Sequence, residues 1–170
     1  MIILIVTSSQ QGLSEYAMVF FYSGVYNEEI GIGSIKPSIA FNEKNFSSSK
    51  IDYTERITLK MHEQIRYSAV GSLKGIVNHE IGHRINSITG AREDSIIQRL
   101  YARYYSDLEP GHPEMDARYG SKMAKALSYY ADTSIVEFIA EAWSEYSIKA
   151  NPRPLAQEVG DRIMYLYKRR

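Results

Sequence analysis

Cysteine is absent from the 170 residues of this chain. Its absence excludes a disulfide framework and thiolate metal ligands, so histidine, aspartate and glutamate remain the strong candidates to bind a metal. An excess of either charge is also missing, since 20 Lys and Arg residues balance 20 Asp and Glu residues. Without a basic surface, we expect neither a nucleic acid nor an acidic membrane surface as a partner.

Long apolar runs are missing as well, and no stretch approaches the eighteen or so residues that a membrane-spanning helix needs. The N-terminal "MIILIVTSS" is apolar, but no basic residue precedes it and no small-residue cleavage site follows it. This pattern favours a strand over a signal peptide. We therefore expect a soluble, cytoplasmic protein with no signal peptide or transmembrane segment.

The length of the chain fits a single domain, 1–170, with strands and loops over 1–61 and mainly helices over 62–170. Predicted strands are Ile2 to Val6, "SIKPSIAF" and "ERITLKM" at 55–61. Ser68 or Ser72 begins a helix that runs to about Ile88, where Gly90 ends it. The apolar residues of this helix recur three and four positions apart and predict one buried stripe: Leu73, Val77, Ile81, Ile85 and Ile88.

The segment "NHEIGHRI" at 78–85 contains the pattern HExxH. On a helix, His79 and His83 lie one turn apart on the same face, so both rings can bind one metal ion. Glu80 can then act as general base toward a water molecule that the metal activates. Gly82 leaves room for a close approach by substrate or by another backbone segment. The alternative is an ordinary exposed polar face, which a third ligand would argue against.

Three places could supply that third ligand. The metzincin extension of HExxH is excluded, because Asn86 and Thr89 stand where glycine and a histidine or aspartate would be needed. His62 and His112 have no ligand-like neighbours and are interpreted as surface histidines. The remaining source is a later helix.

That helix, "SIVEFIAEAWSEYSIKA", is predicted to begin after Thr133 and to end at Asn151. It carries Glu137 and Glu141 one turn apart, on the border of an apolar stripe formed by Ile135, Phe138, Ile139, Ala142 and Tyr146. One glutamate could bind the metal while the other accepts the N–H of a ligating histidine, with either assignment possible. A solvated pair of carboxylates is the alternative.

"HEIGH" followed by "YYADTSIVEFIAEAW" resembles the zinc metallopeptidases related to anthrax lethal factor and the Pro-Pro endopeptidases, which are gluzincins. The resemblance implies that "EFIAEAW" at 137–143 supplies Glu137 as the third zinc ligand and leaves Glu141 to support a histidine. It also implies that Tyr130, seven residues before the ligand, hydrogen-bonds the oxyanion of the reaction. Tyr129 is an immediate competitor for that role.

Residues 57–160 also resemble zincin-like C-terminal regions of phage minor head, or head-morphogenesis, proteins, which share the HExGH and EFxAEAWxEY blocks. Residues 1–55 match neither group. This second resemblance implies a virion-associated location and a phage structural or host protein as a partner.

Taken together, these patterns predict an α+β, zincin-like fold in which a small twisted N-terminal sheet packs on the HExxH helix. The predicted function is a zinc metalloendopeptidase that acts on a protein or peptide. His79, His83 and Glu137 would bind Zn²⁺, Glu80 and Tyr130 would be catalytic, and Glu141 would support a ligand. The alternatives are a phage assembly module with this fold and no peptidase activity, or a toxin effector domain like lethal factor.

Overall fold

The computed structural model describes residues 46–106 and 120–170, together with the backbone of three short strands in the first 42 residues. The chain divides into two compact units, Met1–Arg56 and Ile57–Arg170. The second unit carries the HExxH segment, and its described residues contain every residue of the candidate site.

The strands of the first unit are β1 (Ile2–Val6), β2 (Val19–Tyr22) and β3 (Ser38–Asn42). They form a sheet in the order β1-β3-β2, in which β3 pairs parallel to β1 and antiparallel to β2. Leu4 of β1 and Phe20 of β2 lie opposite the same residue of β3, Ala40.

The remaining regular structure is helical. The α-helices are α1 (Ile51–Ile65), α2 (Leu73–Thr89), α3 (Ser95–Tyr104), α4 (Lys122–Ala126), α5 (Ile135–Ile148) and α6 (Pro154–Lys168). Two 3-10 turns, Ala91–Glu93 and Tyr130–Asp132, join them. None of the helices described here is long and apolar enough to cross a membrane.

The predicted α+β, zincin-like fold with a sheet packed on the HExxH helix is wrong. Between residues 57 and 170 the described segments contain helices and no strand, so the described part of the unit that holds the motif is all helical. The predicted strand at 55–61 belongs to α1. Its apolar residues alternate as in a strand, but the buried residues are Thr54 and Thr58, whose spacing of four places them on one helical face.

The ends of α2 follow the sequence prediction. Ser72 precedes the helix, and its Oγ accepts a hydrogen bond from the Gly75 N–H at 3.1 Å. Gly90 ends the helix in the left-handed conformation, with φ of 66°, where a residue without Cβ carries no steric penalty.

The predicted buried stripe of α2 is wrong. The five apolar residues expected to be buried are only partly covered, whereas the buried face is small and polar and comprises Gly75, His79, Gly82, Asn86 and Thr89. The reason is tertiary, because this face is the one that packs against α5. Apolar periodicity alone therefore selected the wrong side of the helix.

Helix α5 is the centre of the helical unit and packs against α2, α6 and the 3-10 turn at Tyr130–Asp132. Its cap is Ser134, whose Oγ accepts from the Glu137 N–H, and not the predicted Thr133. The fully buried apolar side chains around it form the main core: Ile97, Met123, Leu127, Phe138, Ile139, Val159 and Ile163. Burial of each such large side chain contributes about 1.5–3 kcal/mol.

A buried ion pair joins α5 to α6. The Glu145 side chain has no exposed surface, and its Oε2 accepts a hydrogen bond from Arg153 Nε at 2.8 Å. Its Oε1 accepts from the Arg153 backbone N–H at 2.9 Å, directly before α6 begins. The two charges therefore fix the turn between these helices.

Candidate metal centre

Three side chains from α2 and α5 meet at one point. Nε2 of His79 lies 3.0 Å from Oε2 of Glu137, and Nε2 of His83 lies 3.4 Å from the same oxygen. The two imidazole nitrogens are 3.1 Å apart. A tetrahedral zinc ion with ligands at about 2.0–2.2 Å requires its ligand atoms to be roughly 3.3 Å apart. The three donor atoms thus fit one such ion.

A contact between the two helices sets this distance. A Cβ atom added to Gly82 would lie 2.7 Å from Cα of Ala140. Only glycine allows α2 to approach the α5 backbone so closely, one residue before His83 and three residues after Glu137 along the two helices. The room predicted at Gly82 is therefore taken by another backbone segment.

Hydrogen bonds along the same crossing hold α2 and α5 in register. Ser144 Oγ donates to the carbonyl oxygen of Gly75 at 2.8 Å, and Ser147 Oγ donates to Oδ1 of Asn78 at 3.0 Å. One contact lies one turn before His79 and the other at the residue directly before it, so the two helices cannot slide without breaking them.

Glu137 occupies the first turn of α5, two residues after the helix begins. The N-terminal end of a helix carries a partial positive charge that stabilises a carboxylate. The Ser134 hydroxyl satisfies the Glu137 N–H. The Glu137 side chain, which in a capping box would turn back toward the cap, is directed to the histidines instead.

The Glu137 Oε2 atom is buried and receives no hydrogen bond of acceptable geometry, although two imidazole nitrogens lie within 3.4 Å of it. Buried polar atoms are rarely left in this state. The carboxylate oxygen and the imidazole lone pairs would repel one another without a positive charge between them. A metal cation would remove this repulsion and satisfy all three atoms.

The close approach of histidines and carboxylates also shifts the pKa values of His79 and Glu137. Burial lowers the pKa of His79, but the adjacent Glu137 and Glu141 carboxylates outweigh burial and raise that pKa to about 10. Burial raises the pKa of Glu137, but the two histidines outweigh it and lower that pKa to about 2. Without an ion, a proton on His79 supplies the positive charge that the site demands.

Glu141 supports His79 and is buried, with 2% of its surface exposed, instead of lying on the border of the stripe as predicted. Its Oε1 lies 2.7 Å from His79 Nδ1. Its Oε2 accepts hydrogen bonds from Ser128 Oγ, at 2.8 Å, and from the Ala69 N–H. Because the carboxylate is directed to these partners, the ambiguity between the two glutamates is resolved in favour of Glu137 as the ligand candidate.

Glu80 and Tyr130 lie beside the cluster. Burial raises the pKa of Glu80, and the neighbouring histidines oppose that rise. The Tyr130 ring stacks on the His79 ring with centroids 5.6 Å apart and planes inclined by 25°. Burial and the Glu137 charge raise the pKa of Tyr130, so its hydroxyl stays protonated and can donate. Tyr129, the competitor, stacks on Tyr67 at 6.5 Å.

His62 does not join the cluster, because its Nδ1 pairs with the Ser68 carbonyl oxygen at 2.7 Å. The remaining histidine, His112, lies outside the described residues. The sequence did not indicate Ser128, which donates to Glu141, or Tyr67, which stacks on Tyr129. No motif marks the serine, and nothing distinguishes Tyr67 among the 14 tyrosines of the chain.

The candidate centre therefore comprises His79, His83 and Glu137, supported by Glu141, with Glu80 and Tyr130 beside it. Comparison with known proteins assigns the chain to no family, since no family model, no curated protein and no solved structure matches it.

Proposed function

We propose that this chain is a zinc-dependent endopeptidase that hydrolyses peptide bonds of a protein or peptide substrate. The observation that carries the proposal is the convergence of His79 Nε2, His83 Nε2 and Glu137 Oε2, with Glu80 next to the first ligand. Two imidazoles and one carboxylate form a donor set that suits zinc and leaves a coordination position for water. The resemblance to gluzincins in the HEIGH and EFIAEAW blocks supports the same ligands.

When bound, zinc would supply Lewis acidity, which polarises a carbonyl group and lowers the pKa of water to about 7. Glu80 takes the proton from the attacking water and delivers it to the amine nitrogen as the C–N bond breaks. The Tyr130 hydroxyl donates a hydrogen bond to the oxygen that becomes negatively charged. Glu141 holds His79 in the tautomer that presents Nε2 to the metal.

Glu80→Gln separates this function from metal binding, because the amide cannot accept the proton and Glu80 is not among the ligand candidates. We expect the zinc-loaded wild type to cleave an unfolded-protein or peptide library, with new N-termini identified by mass spectrometry. Glu80→Gln should lose at least about 100-fold in rate, the usual contribution of a general base. Both proteins should contain close to one zinc ion per chain by elemental analysis.

The matched control is Glu158→Gln, which changes an exposed carboxylate on α6 and should cleave like the wild type. Equal cleavage by the wild type and Glu80→Gln would show a contaminating protease. Stoichiometric zinc without cleavage of any substrate would refute the peptidase proposal and favour a non-catalytic role in assembly.

A further inference from the structure

The Tyr67 ring is a second aromatic neighbour of Tyr130. The two rings are stacked, with centroids 5.3 Å apart and planes inclined by 16°. The Tyr130 ring also stacks on His79, at 5.6 Å and 25°, so it contacts both Tyr67 and a ligand candidate. Two aromatic contacts therefore restrict the rotation of the Tyr130 side chain.

Backbone hydrogen bonds fix Tyr67 relative to Tyr130. The Tyr130 N–H donates to the Tyr67 carbonyl oxygen at 2.9 Å, and the Tyr129 N–H donates to the Arg66 carbonyl oxygen at 3.0 Å. Arg66 adopts a positive φ of 49°, which turns the chain sharply after α1. The two segments are therefore paired residue by residue.

The Tyr67 segment is also attached to the metal centre. The Ala69 N–H donates to Oε2 of Glu141, the carboxylate that contacts His79 through its other oxygen. Ala69 has no exposed surface. Tyr67 thus stands on a backbone held at one end by the Tyr130 segment and at the other by the residue that supports a ligand.

We propose that Tyr67 is a positioning residue, which holds the Tyr130 ring against His79 and thereby aims the Tyr130 hydroxyl at the reacting carbonyl group. This inference rests on the proposed peptidase function. Loss of the Tyr67 ring would leave Tyr130 free to adopt other rotamers. Because stacked aromatic pairs are modestly stabilising, we expect a fall of about 2- to 10-fold in kcat/KM.

The first test does not depend on activity. In protein with labelled aromatic rings, nuclear Overhauser contacts between Tyr130 and His79 should be present in the wild type and in Tyr67→Phe, which keeps the ring. They should be lost in Tyr67→Leu, while the Kd for Zn²⁺ stays close to that of the wild type because Tyr67 is not among the candidate ligands. Tyr167→Leu, at an exposed position of α6, is the control and should retain them.

The second test is a double-mutant cycle on kcat/KM. If Tyr67 acts through the Tyr130 hydroxyl, Tyr67→Leu should reduce the rate in the wild type and have less than about 2-fold effect in Tyr130→Phe. An equal loss in both backgrounds would overturn the inference, as would Tyr130–His79 contacts that persist in Tyr67→Leu. Absence of wild-type activity would refute the peptidase proposal alone, since the ring contacts would still decide the role of Tyr67.

Discussion

Oε1 of Glu141 lies 2.7 Å from Nδ1 of His79. An ionised carboxylate can only accept hydrogen bonds, so Nδ1 carries the proton, and in the neutral ring the Nε2 lone pair faces the point where Glu137 and His83 converge. The same carboxylate reaches Ser128 and Ala69 with its other oxygen. The orientation of one candidate ligand is thus determined by three segments of the chain.

Glu141→Gln should weaken zinc binding. The amide group offers one oxygen where the carboxylate offers two, so either His79 Nδ1 or the Ser128 and Ala69 donors lose their acceptor. Loss of such a partner raises the Kd for zinc by about 10- to 100-fold in known metal sites. Competition with a chelating dye measures this Kd, and an unchanged value would contradict the role of Glu141. Glu158→Gln, on the exposed surface, serves as the control.

Gly82→Ala should separate the two ligand helices. The new methyl group would lie 2.7 Å from Cα of Ala140, and backbone atoms cannot move aside without shifting α5. We expect a loss of about 1–3 kcal/mol in the free energy of unfolding, typical of overpacking, together with weaker zinc binding. Chemical denaturation measures the first effect. Ser87→Ala, exposed on the same helix, should change stability by less than about 0.5 kcal/mol.

Zinc should raise the melting temperature of the wild type, because a ligand that binds only the folded state stabilises it by mass action. At a free zinc concentration of 100 times Kd, this stabilisation is about 2.7 kcal/mol. A chelator should reverse the shift seen by calorimetry. His83→Ala removes one donor and should abolish most of it. An identical zinc-induced shift in this variant would place the metal elsewhere.

Asp94 should contribute acid-sensitive stability. Its carboxylate caps α3 through the Ile96 and Ile97 N–H groups and pairs with Arg162 at 2.6 Å. The hydrogen bond from Arg162 is the main cause that holds the pKa of Asp94 below its usual 3.8. A pKa lowered by folding gives stability that is present above about pH 3.8 and is lost as the pH falls through the lowered value.

Asp94→Asn separates the contribution of the Asp94 charge to stability from the contribution of its hydrogen bonds to the start of α3. The asparagine still accepts from the helix N–H groups, so the variant should remain folded at pH 7, whereas Asp94→Ala should lose about 1 kcal/mol more from the missing cap. The deficit of Asp94→Asn relative to the wild type should shrink as the pH falls below about 3.8. Denaturation curves at several pH values measure this, and a constant deficit would exclude a contribution from ionised Asp94.

The two histidines of the candidate ligand set could be predicted from helical spacing, because residues four apart share a face of any helix. Spacing left the third candidate open between Glu137 and Glu141, and only the resemblance to gluzincins implied Glu137. The packing of α2 could not be predicted in the same way. Apolar periodicity favoured Ile81 and its neighbours as the buried side, while contact with α5 buried Gly82 and His79. Tertiary contact, which no local pattern reports, decided which face is covered.

The predicted fold class was wrong for a related reason. The alternation of Ile57 and Leu59 is typical of a strand, but α1 exposes both side chains and buries Thr58. Tyr67 escaped prediction because its place depends on hydrogen bonds between residues 66–67 and 129–130, more than sixty positions apart. Such pairing depends on the folded chain and leaves no periodic signal in sequence.

The contact of Gly82 with Ala140 has a consequence for conformational entropy. Neither residue has a side-chain rotamer to lose on folding, so this approach of the two helices immobilises no side chain. Rotamer changes at this contact therefore cannot alter the spacing of the two backbones. That spacing changes only when a whole helix moves.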